Sequence, residues 1–337
     1  MATIRDVAEM AGVSVASVSR FINSPDKVRA ETRERIRLAM QECNYRYNYV
    51  AKVFATQRTQ TIGLVIPTIT NTVFADSTRG LQDEATRRGY QVLMVNADYD
   101  PDAEGELVRH LLERQVDGLV ITASDPHGAI AGELATAGIP AVFLYSTLSE
   151  GPVSSVGIDN ERGGFDATAH LADLGHERIA MLAGSFTSSD RSRHRYDGYR
   201  RCLSERGLEF EPGLVVEIPY GLEHCREGVA RLMEAAQPPT AIFASNDLMA
   251  IGVMGELRAF GLSVPRDVSV VGFDDVLMSS YVAPRLTTIR QPVYEMGRRA
   301  AQMVLDALDR GGQSVPRHLI LDHELVVRES TASLRRA

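Results

Sequence analysis

Apolar positions in the first 45 residues recur at the spacing of an α-helix. The first stripe consists of Ile4, Val7, Ala8 and Ala11. It follows Thr3 and Asp6, which have the form of a capping box, and it stops at Gly12, the residue that most readily ends a helix. The pattern therefore predicts a short helix that is closed by a glycine turn.

The same periodicity predicts two more helices. Ser14 is a candidate N-cap for the second helix. The face that packs is predicted to contain Val18, Phe21 and Ile22, and the opposite face to contain Val15, Ala16, Ser19, Arg20 and Asn23. A third helix is expected over residues 31–43, with a buried stripe of Ile36, Ala39, Met40 and Cys43. Helix, glycine turn and helix form a helix-turn-helix, whose second helix enters the DNA major groove, although an ordinary three-helix subdomain has the same spacing.

From Thr61 onward, short apolar strands alternate with helical stripes. Strands are predicted at 61–66, 91–95, 119–122, 178–183, 214–218, 240–244, 268–272, 288–291, 317–321 and 323–327. Helices are predicted at 76–88, 104–114, 163–174, 193–206, 224–235, 248–260 and 293–310. Such alternation predicts two α/β lobes in succession, each built on a doubly wound parallel sheet.

The charge of the chain is divided between these two parts. Residues 1–58 contain ten Lys and Arg against six Asp and Glu, a net charge of +4, and the total of −8 leaves −12 for the remainder. A basic head attracts the phosphate backbone of DNA, whereas an acidic body does not cling to it. The charge pattern therefore favours DNA binding by the head alone.

Composition also excludes several classes of protein. No apolar run is long enough for a membrane span, and Asp6 and Glu9 interrupt the segment where a signal peptide would be apolar, so we expect a cytoplasmic protein without membrane contact. The three cysteines, Cys43, Cys202 and Cys225, are far apart and suggest neither disulfides nor a zinc site. We expect no cofactor and no metal.

Residues 3–23, Thr-Ile-Arg-Asp-Val-Ala-Glu-Met-Ala-Gly-Val-Ser-Val-Ala-Ser-Val-Ser-Arg-Phe-Ile-Asn, closely resemble the N-terminal signature of the lactose/galactose-repressor family of bacterial transcription regulators. The resemblance continues through Glu31-Thr32-Arg33, Tyr45, Ile62-Gly63, Val116-Asp117-Gly118, Gly175-His176, Gly272-Phe273-Asp274 and Leu286-Thr287-Thr288-Ile289. It implies an all-α helix-turn-helix head on an α/β core of the type I periplasmic-binding-protein kind, whose lobes are joined by crossover strands.

The resemblance also divides the chain. It implies a DNA-binding domain at 1–46, a hinge at 47–59 and an effector-binding and dimerisation core at 60–337. The N-lobe is expected at about 60–160 and 290–320, and the C-lobe at about 161–289 and 321–330. A homodimer would place two heads on a palindromic operator in double-stranded DNA. The tail from Ser330 has no leucine heptad, which gives no support for a tetramer.

Residues of the head and hinge are assigned to DNA. Arg20 is the best candidate for reading a base, because a bidentate arginine pairs well with guanine, and Val15 and Ala16 offer small apolar contacts. The polar candidates for holding phosphates and the backbone are Thr3, Ser14, Ser17 and Asn23. In the hinge the family inserts an apolar side chain into the minor groove, which implies this role for Phe54 beside Val53.

The hinge departs from the family pattern. Phe54 stands where a leucine is usual, and Tyr47-Asn48-Tyr49 lacks the proline that commonly opens the hinge. A plain linker with an aromatic residue packed on the core is the alternative.

Effector-binding candidates follow strands, because parallel α/β folds bind ligands at the carboxyl ends of their strands. The resemblance implies Asn71, Phe74, Arg195, Asn246 and Asp274, and Arg191 lies one helical turn before Arg195. Each has a simpler structural interpretation: Phe74 as a core residue, the arginines as solvated or paired with Asp and Glu, and Asn246 and Asp274 as helix caps.

The expected effector is a small sugar or a sugar acid. The density of arginine from Arg191 to Arg195 favours an anion, unless these charges pair with neighbouring carboxylates. The sign of its effect on DNA binding is not visible in the sequence.

Two other functional classes fit the same core fold. A sugar-processing enzyme would show a phosphate-binding glycine loop, a nucleophile elbow or a zinc-protease motif, and none of these is present. An exported sugar receptor would carry a signal sequence in place of the head. The sequence therefore predicts a regulator, a repressor of sugar or sugar-acid metabolism.

Overall fold

The computed structural model describes residues 2–23, 25–45, 58–312 and 315–334. It contains two compact units, Met1–Arg58 and Thr59–Ala337. The predicted hinge residues Val53 and Phe54 lie outside the described residues, as does the side chain of Asn23. None of the described helices is long and apolar enough to cross a membrane.

The first unit is a three-helix head. Its helices are α1 (Ile4–Ala11), α2 (Val15–Asn23) and α3 (Ala30–Glu42), with a 3-10 turn at Pro25–Lys27. Their shared core consists of Val7, Ala8, Ala11, Val18, Ile36 and Ala39. The predicted helix-turn-helix is therefore present, with the buried stripes on the predicted faces.

Hydrogen bonds fix both ends of α1, including the turn that leads to α2. The Thr3–Asp6 capping box opens α1, and Gly12 closes it at φ 60°, a left-handed conformation that glycine adopts without strain. The Arg35 guanidinium of α3 donates to the carbonyls of Ala11 (2.5 Å) and Gly12 (3.1 Å). The third helix thereby satisfies carbonyl groups that the end of α1 leaves unpaired.

The second unit contains two six-stranded sheets. Its strands are β1 (Thr61–Ile66), β2 (Gln91–Asn96), β3 (Gly118–Ile121), β4 (Ala141–Leu144), β5 (Ser154–Ile158), β6 (Ile179–Ala183), β7 (Val215–Glu217), β8 (Ala241–Ala244), β9 (Ser269–Asp274), β10 (Thr287–Arg290), β11 (His318–Leu321) and β12 (Glu324–Val326). Its helices are α4 (Thr72–Arg87), α5 (Pro101–Glu113), α6 (Ala129–Thr136), α7 (Asn160–Asp173), α8 (Asp190–Glu205), α9 (Cys225–Met233), α10 (Asp247–Ala259) and α11 (Val293–Asp309).

The sheets define two lobes that the chain visits repeatedly. The first lobe has the strand order β11-β5-β4-β3-β1-β2 and the second has β12-β10-β9-β8-β6-β7. All pairings are parallel except that of β12 with β10, which is antiparallel. The chain passes from the first lobe to the second after β5, returns after β10 and crosses again after β11. The predicted fold class is confirmed, with β12 as an antiparallel edge.

Several helices begin earlier than the apolar stripes predicted. The N-caps Asn71, Asp100, Asp159 and Ser189 each accept a hydrogen bond from a backbone N–H within the next three residues. These caps start α4, α5, α7 and α8 about one turn before the predicted starts, because a capping side chain begins a helix whether or not its first turn carries an apolar stripe. The prediction missed α6 and β4 completely and treated β5 only as a motif.

Candidate functional site

The exposed face of α2 is the candidate DNA-reading surface. Val15, Ala16 and Arg20 are exposed, whereas Val18 between them is fully buried. Val15 leaves 41% of its surface open, an unusual exposure for a valine. The helix therefore presents its small apolar residues and one arginine outward, as the sequence predicted.

The polar residues assigned to DNA are partly engaged at the helix start. Ser14 accepts a hydrogen bond from the Ser17 backbone N–H (3.1 Å), and the two hydroxyl groups lie 2.9 Å apart. Thr3 caps α1. All three lie near helix N-termini, where backbone N–H groups favour an anion such as phosphate.

All six predicted effector-binding residues line one cavity between the lobes. This interlobe cavity is lined by Asn71, Val73, Phe74, Tyr99, Tyr145, Ser189, Arg191, Ser192, Arg195, Tyr220, Ser245, Asn246, Asp274 and Gln291. The cavity volume is about 30 Å³, so the lining side chains leave the cavity nearly closed in this arrangement of the lobes. The fold thus brings together side chains that follow four different strands, while their role in binding stays a prediction.

Asn71 and Asn246 each cap a helix and line the cavity. The Asn71 side-chain oxygen accepts from Val73 N–H (3.2 Å), and that of Asn246 accepts from Met249 N–H (2.8 Å). An asparagine that caps through its oxygen keeps its NH2 group as a donor. Capping and ligand binding are therefore compatible in both residues.

Phe74 belongs to the core as well as to the cavity wall. Its ring is 4% exposed and meets Tyr145 edge to face, with ring centroids 5.4 Å apart. The Tyr145 hydroxyl donates to the Val73 carbonyl (2.9 Å), which fixes both rings. Phe74 therefore packs the first lobe and also presents a rigid aromatic surface to the cavity, while its stacking on an effector stays a prediction.

Arg195 is the most firmly held side chain of the cavity. Its Nε donates to Asn160 Oδ1 (2.9 Å) and its Nη1 to the Ser245 carbonyl (2.6 Å). The guanidinium also lies 3.6 Å from the centroid of the Phe273 ring. Burial lowers the pKa of Arg195, but an arginine stays charged in proteins. The solvated alternative is therefore excluded for this residue.

Two glycines allow α8 to bring Arg195 so deep into the second lobe. A Cβ atom on Gly164 of α7 would overlap the Arg195 backbone, and one on Gly198 of α8 would overlap the backbone of Glu161. The two helices therefore cross with their backbones in contact. This close approach sets the depth at which the Arg195 side chain enters the cavity.

Asp274 is a buried carboxylate in a strained backbone conformation. Its φ of 121° is unusual for a residue with a side chain, and its Oδ1 accepts from Gln291 Nε2 (2.7 Å) and lies 3.7 Å from Arg195 Nη1. Burial raises the pKa of Asp274 to about 7, against the opposing effect of Arg195. It caps no helix, so the capping interpretation is wrong for this residue.

Asp247, and not Asp274, accepts the backbone hydrogen bond that a capping residue after β9 was expected to accept. Its carboxylate accepts from Val276 N–H (2.9 Å) and from the hydroxyls of Ser279 (2.5 Å) and Thr288 (2.5 Å). The residue is fully buried, and burial raises its pKa to about 6. Through these hydrogen bonds, Asp247 joins α10 to the segment that follows β9 and so holds Asp274 in place.

The charges of the two cavity arginines are balanced. Arg191 Nη1 lies 2.9 Å from Asp190 Oδ1, and Arg195 faces Asp274. Burial raises the pKa of Asp190 as well. The third arginine of the cluster, Arg193, is exposed and lies over Phe186 and Tyr196. The cavity therefore carries no clear excess of positive charge while both carboxyl groups are ionised, which for Asp274, with a pKa of about 7, requires a pH above that value.

The sequence prediction missed a pair of tyrosines that closes the cavity. Tyr99 of the first lobe and Tyr220 of the second stack with their ring centroids 3.6 Å apart and an angle of 5° between planes. The Tyr220 hydroxyl lies 2.7 Å from that of Ser192. Both tyrosines follow strands, β2 and β7, so the rule that located the other residues could have found them.

The sequence prediction also missed Gln291 of the cavity wall. It follows β10, at the point where the chain returns to the first lobe, and only 4% of it is exposed. Its Oε1 has no hydrogen-bond partner among the described residues. Tyr145 after β4 was missed because β4 itself was not predicted.

Within the described part of the chain, no group of three potential metal ligands comes together.

Comparison with known proteins identifies the family. Residues 3–48 match the model of bacterial regulatory proteins of the lacI family, and residues 168–331 match that of the periplasmic binding protein-like domain. Catabolite control protein A of Priestia megaterium is 35% identical over 330 residues, which cover 98% of this chain and 99% of the relative. The chain belongs to the lacI family. The family prediction is confirmed, and this lacI-family protein is a DNA-binding transcriptional regulator, not an enzyme.

Other relatives and solved structures agree with this assignment. The transcriptional repressor PurR of Haemophilus influenzae (strain PittEE) is 32% identical over 340 residues, covering 99% of the lacI-family chain and all of the relative. The lac repressor dimer bound to operator and an anti-inducer superposes with a TM-score of 0.86 at 33% identity, over 98% of this chain and 99% of that one. The regulator CelR in complex with cellobiose gives 0.71 at 32% identity, over 98% and 100% of the chains.

Proposed function

We propose that this regulator is a cytoplasmic repressor that binds a palindromic operator as a homodimer and is controlled by a small carbohydrate in the interlobe cavity. The observation that carries the proposal is the convergence of buried polar and aromatic side chains from both lobes on one cavity. In the head of the same chain, the exposed face of α2 suits the major groove. A ligand that contacts both lobes changes the equilibrium between their arrangements, which is what an allosteric effector must do.

The domain boundaries are part of this proposal. The head comprises residues 1–46, the hinge 47–59 and the core 60–337. The hinge would place Val53 and Phe54 in the minor groove, so that operator recognition depends on two copies held together.

The cavity supports an uncharged effector better than an anion. Asp190 and Asp274 offset the two buried arginines. The Gln291 oxygen is an acceptor for a hydroxyl group, and aromatic rings suit the C–H faces of a sugar. Similar structures were solved with sugars: CelR with cellobiose, and a family member from Enterococcus faecium with ribose.

An exposed apolar patch on the second lobe supports the homodimer. Leu277, Met278 and Tyr281 are 72%, 53% and 74% exposed, next to one another in and after a 3-10 turn. Exposed apolar side chains that cluster indicate an interaction surface. The similar lac repressor structure is a dimer on its operator, so a second copy is the occupant that we propose.

The DNA-binding part of the proposal is tested with Arg20→Ala. A palindromic duplex is selected from a random library by the wild-type protein, and binding is measured by fluorescence anisotropy against an unrelated duplex. Loss of one bidentate base contact should weaken binding to the selected duplex about 5- to 150-fold and change binding to the unrelated duplex little. The control Arg5→Ala removes an exposed charge of α1 and should weaken both duplexes equally.

Equal losses on both duplexes for Arg20→Ala would contradict base reading by this residue.

The effector is sought separately by thermal shift with cellobiose, D-ribose, D-glucose and D-gluconate, because a ligand of the native state raises the melting temperature. A shift with D-gluconate alone would contradict the preference for an uncharged sugar.

A further inference from the structure

Asp117 holds the first residues of the core by hydrogen bonds. These residues follow shortly after positions 46–57, which lie outside the described part of the chain. Its Oδ1 accepts from Thr59 N–H (2.8 Å) and its Oδ2 from Gln60 N–H (2.8 Å). The Thr59 hydroxyl lies 3.1 Å from Oδ1. In addition, the Asp117 backbone N–H donates to the Thr61 carbonyl (2.8 Å). One buried residue thus fixes the path by which the chain enters the core.

This path is not one that the segment would adopt by itself. Gln60 has a φ of 46°, in the left-handed region that residues with side chains rarely occupy. A carboxylate that accepts two consecutive backbone N–H groups compensates for such a conformation. The entry segment therefore depends on the exact position of the Asp117 side chain.

Asp117 lies at one end of a rigid strand whose other end contacts the second lobe. The strand β3 follows it directly, and Leu119, Val120 and Ile121 are fully buried. Beyond the strand, the Ala123 carbonyl accepts from Arg191 Nη1 (2.7 Å). The Ser124 carbonyl accepts from Asp190 N–H (2.9 Å). Over about 20 Å of extended chain, β3 links the entry segment to the start of α8.

The contact at the far end of β3 belongs to the interlobe cavity. Arg191 lines the cavity and is only 5% exposed, and its hydrogen bond to Ala123 joins the two lobes. Any movement of α8 relative to the first lobe therefore acts on the carboxyl end of β3. Because the strand is packed in the core, a shift at this end would be passed along it to Asp117 at its other end.

We propose that Asp117 is a positioning residue that couples the interlobe cavity to the DNA-binding head through β3. The inference rests on the proposed function, since it assumes that the cavity controls the head. Asp117 contacts neither DNA nor effector in this role. It sets the geometry of Thr59 and Gln60, from which the chain continues towards the hinge.

The coupling is first tested without any ligand, by hydrogen exchange of the Thr59 and Gln60 amides in the full-length protein. Arg191→Met removes the contact to Ala123 and is expected to accelerate exchange of both amides severalfold. The matched control Arg195→Met removes another buried arginine of the cavity, whose hydrogen bonds go to Asn160 and Ser245 and not to β3. It should leave these two amides unchanged.

Equal exchange of the two amides in both variants and the wild type would overturn the proposal, whether or not the protein binds DNA. Equal acceleration in both variants would also overturn it, because this indicates general loosening of the core. These outcomes are separate from a failure of the proposed function, which appears as a wild-type protein that binds no selected duplex.

The functional test compares DNA binding with and without whichever of cellobiose, D-ribose, D-glucose or D-gluconate raises the melting temperature. Asp117→Asn keeps the shape of the side chain but has one acceptor oxygen. We expect it to retain the thermal shift while the ratio of DNA dissociation constants with and without sugar falls about fivefold or more towards one. Asp100→Asn, which alters a carboxylate that caps α5, is the control and should keep the wild-type ratio.

A wild-type ratio in Asp117→Asn would overturn the coupling role. If Asp117→Asn does not fold, Thr59→Val removes the hydroxyl contacts to the same carboxylate (3.1 Å) and to the Gln115 carbonyl (2.9 Å), and it should lower the ratio in the same direction. An unchanged ratio in the folded Thr59→Val variant together with unchanged amide exchange in Arg191→Met would equally contradict it.

Discussion

Individual polar residues of the cavity wall also have a structural role. Asn246 caps α10 with its oxygen, and Asp274 receives Gln291 and faces Arg195. Neither side chain is free to move when a ligand arrives. A site built in this way is preorganised, so little conformational entropy is lost on binding.

The buried carboxyl group of Asp274 makes stability depend on pH. Burial raises its pKa from 3.8 to about 7. The folded protein therefore holds a proton that the unfolded chain releases between these values, so the group's contribution to stability is present below about pH 4 and is lost as the pH rises through about 7. Asp274→Asn removes this dependence.

We expect the free energy of unfolding of Asp274→Asn, relative to that of wild type, to increase from about pH 5 to about pH 8. The measurement is urea denaturation at a series of pH values. Asp247 and all other titrating groups are present in both proteins, so they largely cancel in the difference. A difference that does not change with pH would show that Asp274 does not titrate in this range.

At the residue scale, the sequence located residues that line the cavity, but it did not show which side chains they pair with. Residues that follow strands are visible in the apolar pattern, which is why Asn246 and Asp274 were found. The partner of a buried charge depends on which helix crosses which, so the pairing of Arg195 with Asp274 and the stacking of Tyr99 on Tyr220 could not be predicted. The family resemblance, not periodicity, pointed to Arg195.

At the scale of elements, the close crossing of α7 and α8 is set by glycine. Each helix contributes one glycine, Gly164 and Gly198, at a point where the other backbone leaves no room for a Cβ atom. Glycine normally lowers helix stability, so its presence in the middle of both helices indicates a packing requirement. The crossing is what carries Arg195 into the cavity.

Gly198→Ala is expected to destabilise the protein by about 1–3 kcal/mol, because overpacking forces the two backbones apart. Gly255→Ala in α10 is the matched control, since nothing lies within 4 Å of the added methyl group. There alanine should stabilise the fold by about 0.5–1 kcal/mol through its higher helix propensity. Urea denaturation measures both, and equal effects of the two substitutions would contradict the packing argument.

Most elements could be predicted, and those that were missed share a physical cause. The strand β4 has only four residues and no polar alternation, and α6 contains Gly132, so neither produces a clear period. Helix starts were placed late because apolar periodicity does not record a polar first turn. The helix α7 begins after its cap Asp159 with Asn160, Glu161 and Arg162, ahead of the first apolar position of its stripe.

At the scale of the whole molecule, the chain crosses between the lobes three times. These crossings follow β5, β10 and β11, and the second carries Gln291 along the cavity. Strand order across two sheets is a long-range property that periodicity does not record, so the crossovers came from the family resemblance alone. The surface proposed to join two copies is likewise not visible in the sequence.

We expect Met278→Glu to weaken the proposed homodimer, because a charge placed in an apolar contact must be desolvated. Sedimentation velocity should show a shift towards monomer, and affinity for the selected palindromic duplex should fall with it. Met10→Glu, which alters an equally exposed methionine of the head, is the control for the oligomeric state. An unchanged sedimentation coefficient in Met278→Glu would place the dimer contact elsewhere.

The stacked pair Tyr99 and Tyr220 has a practical consequence. The chain contains no tryptophan, so its near-ultraviolet signals come from tyrosine and phenylalanine. Two phenol rings in parallel contact interact electronically, and this pair spans the gap between the lobes. The unlabelled protein therefore carries an optical reporter of its own: parting of the lobes would remove the contribution of this stacked pair from the circular dichroism of the tyrosine band, to which the eleven tyrosines of the chain contribute.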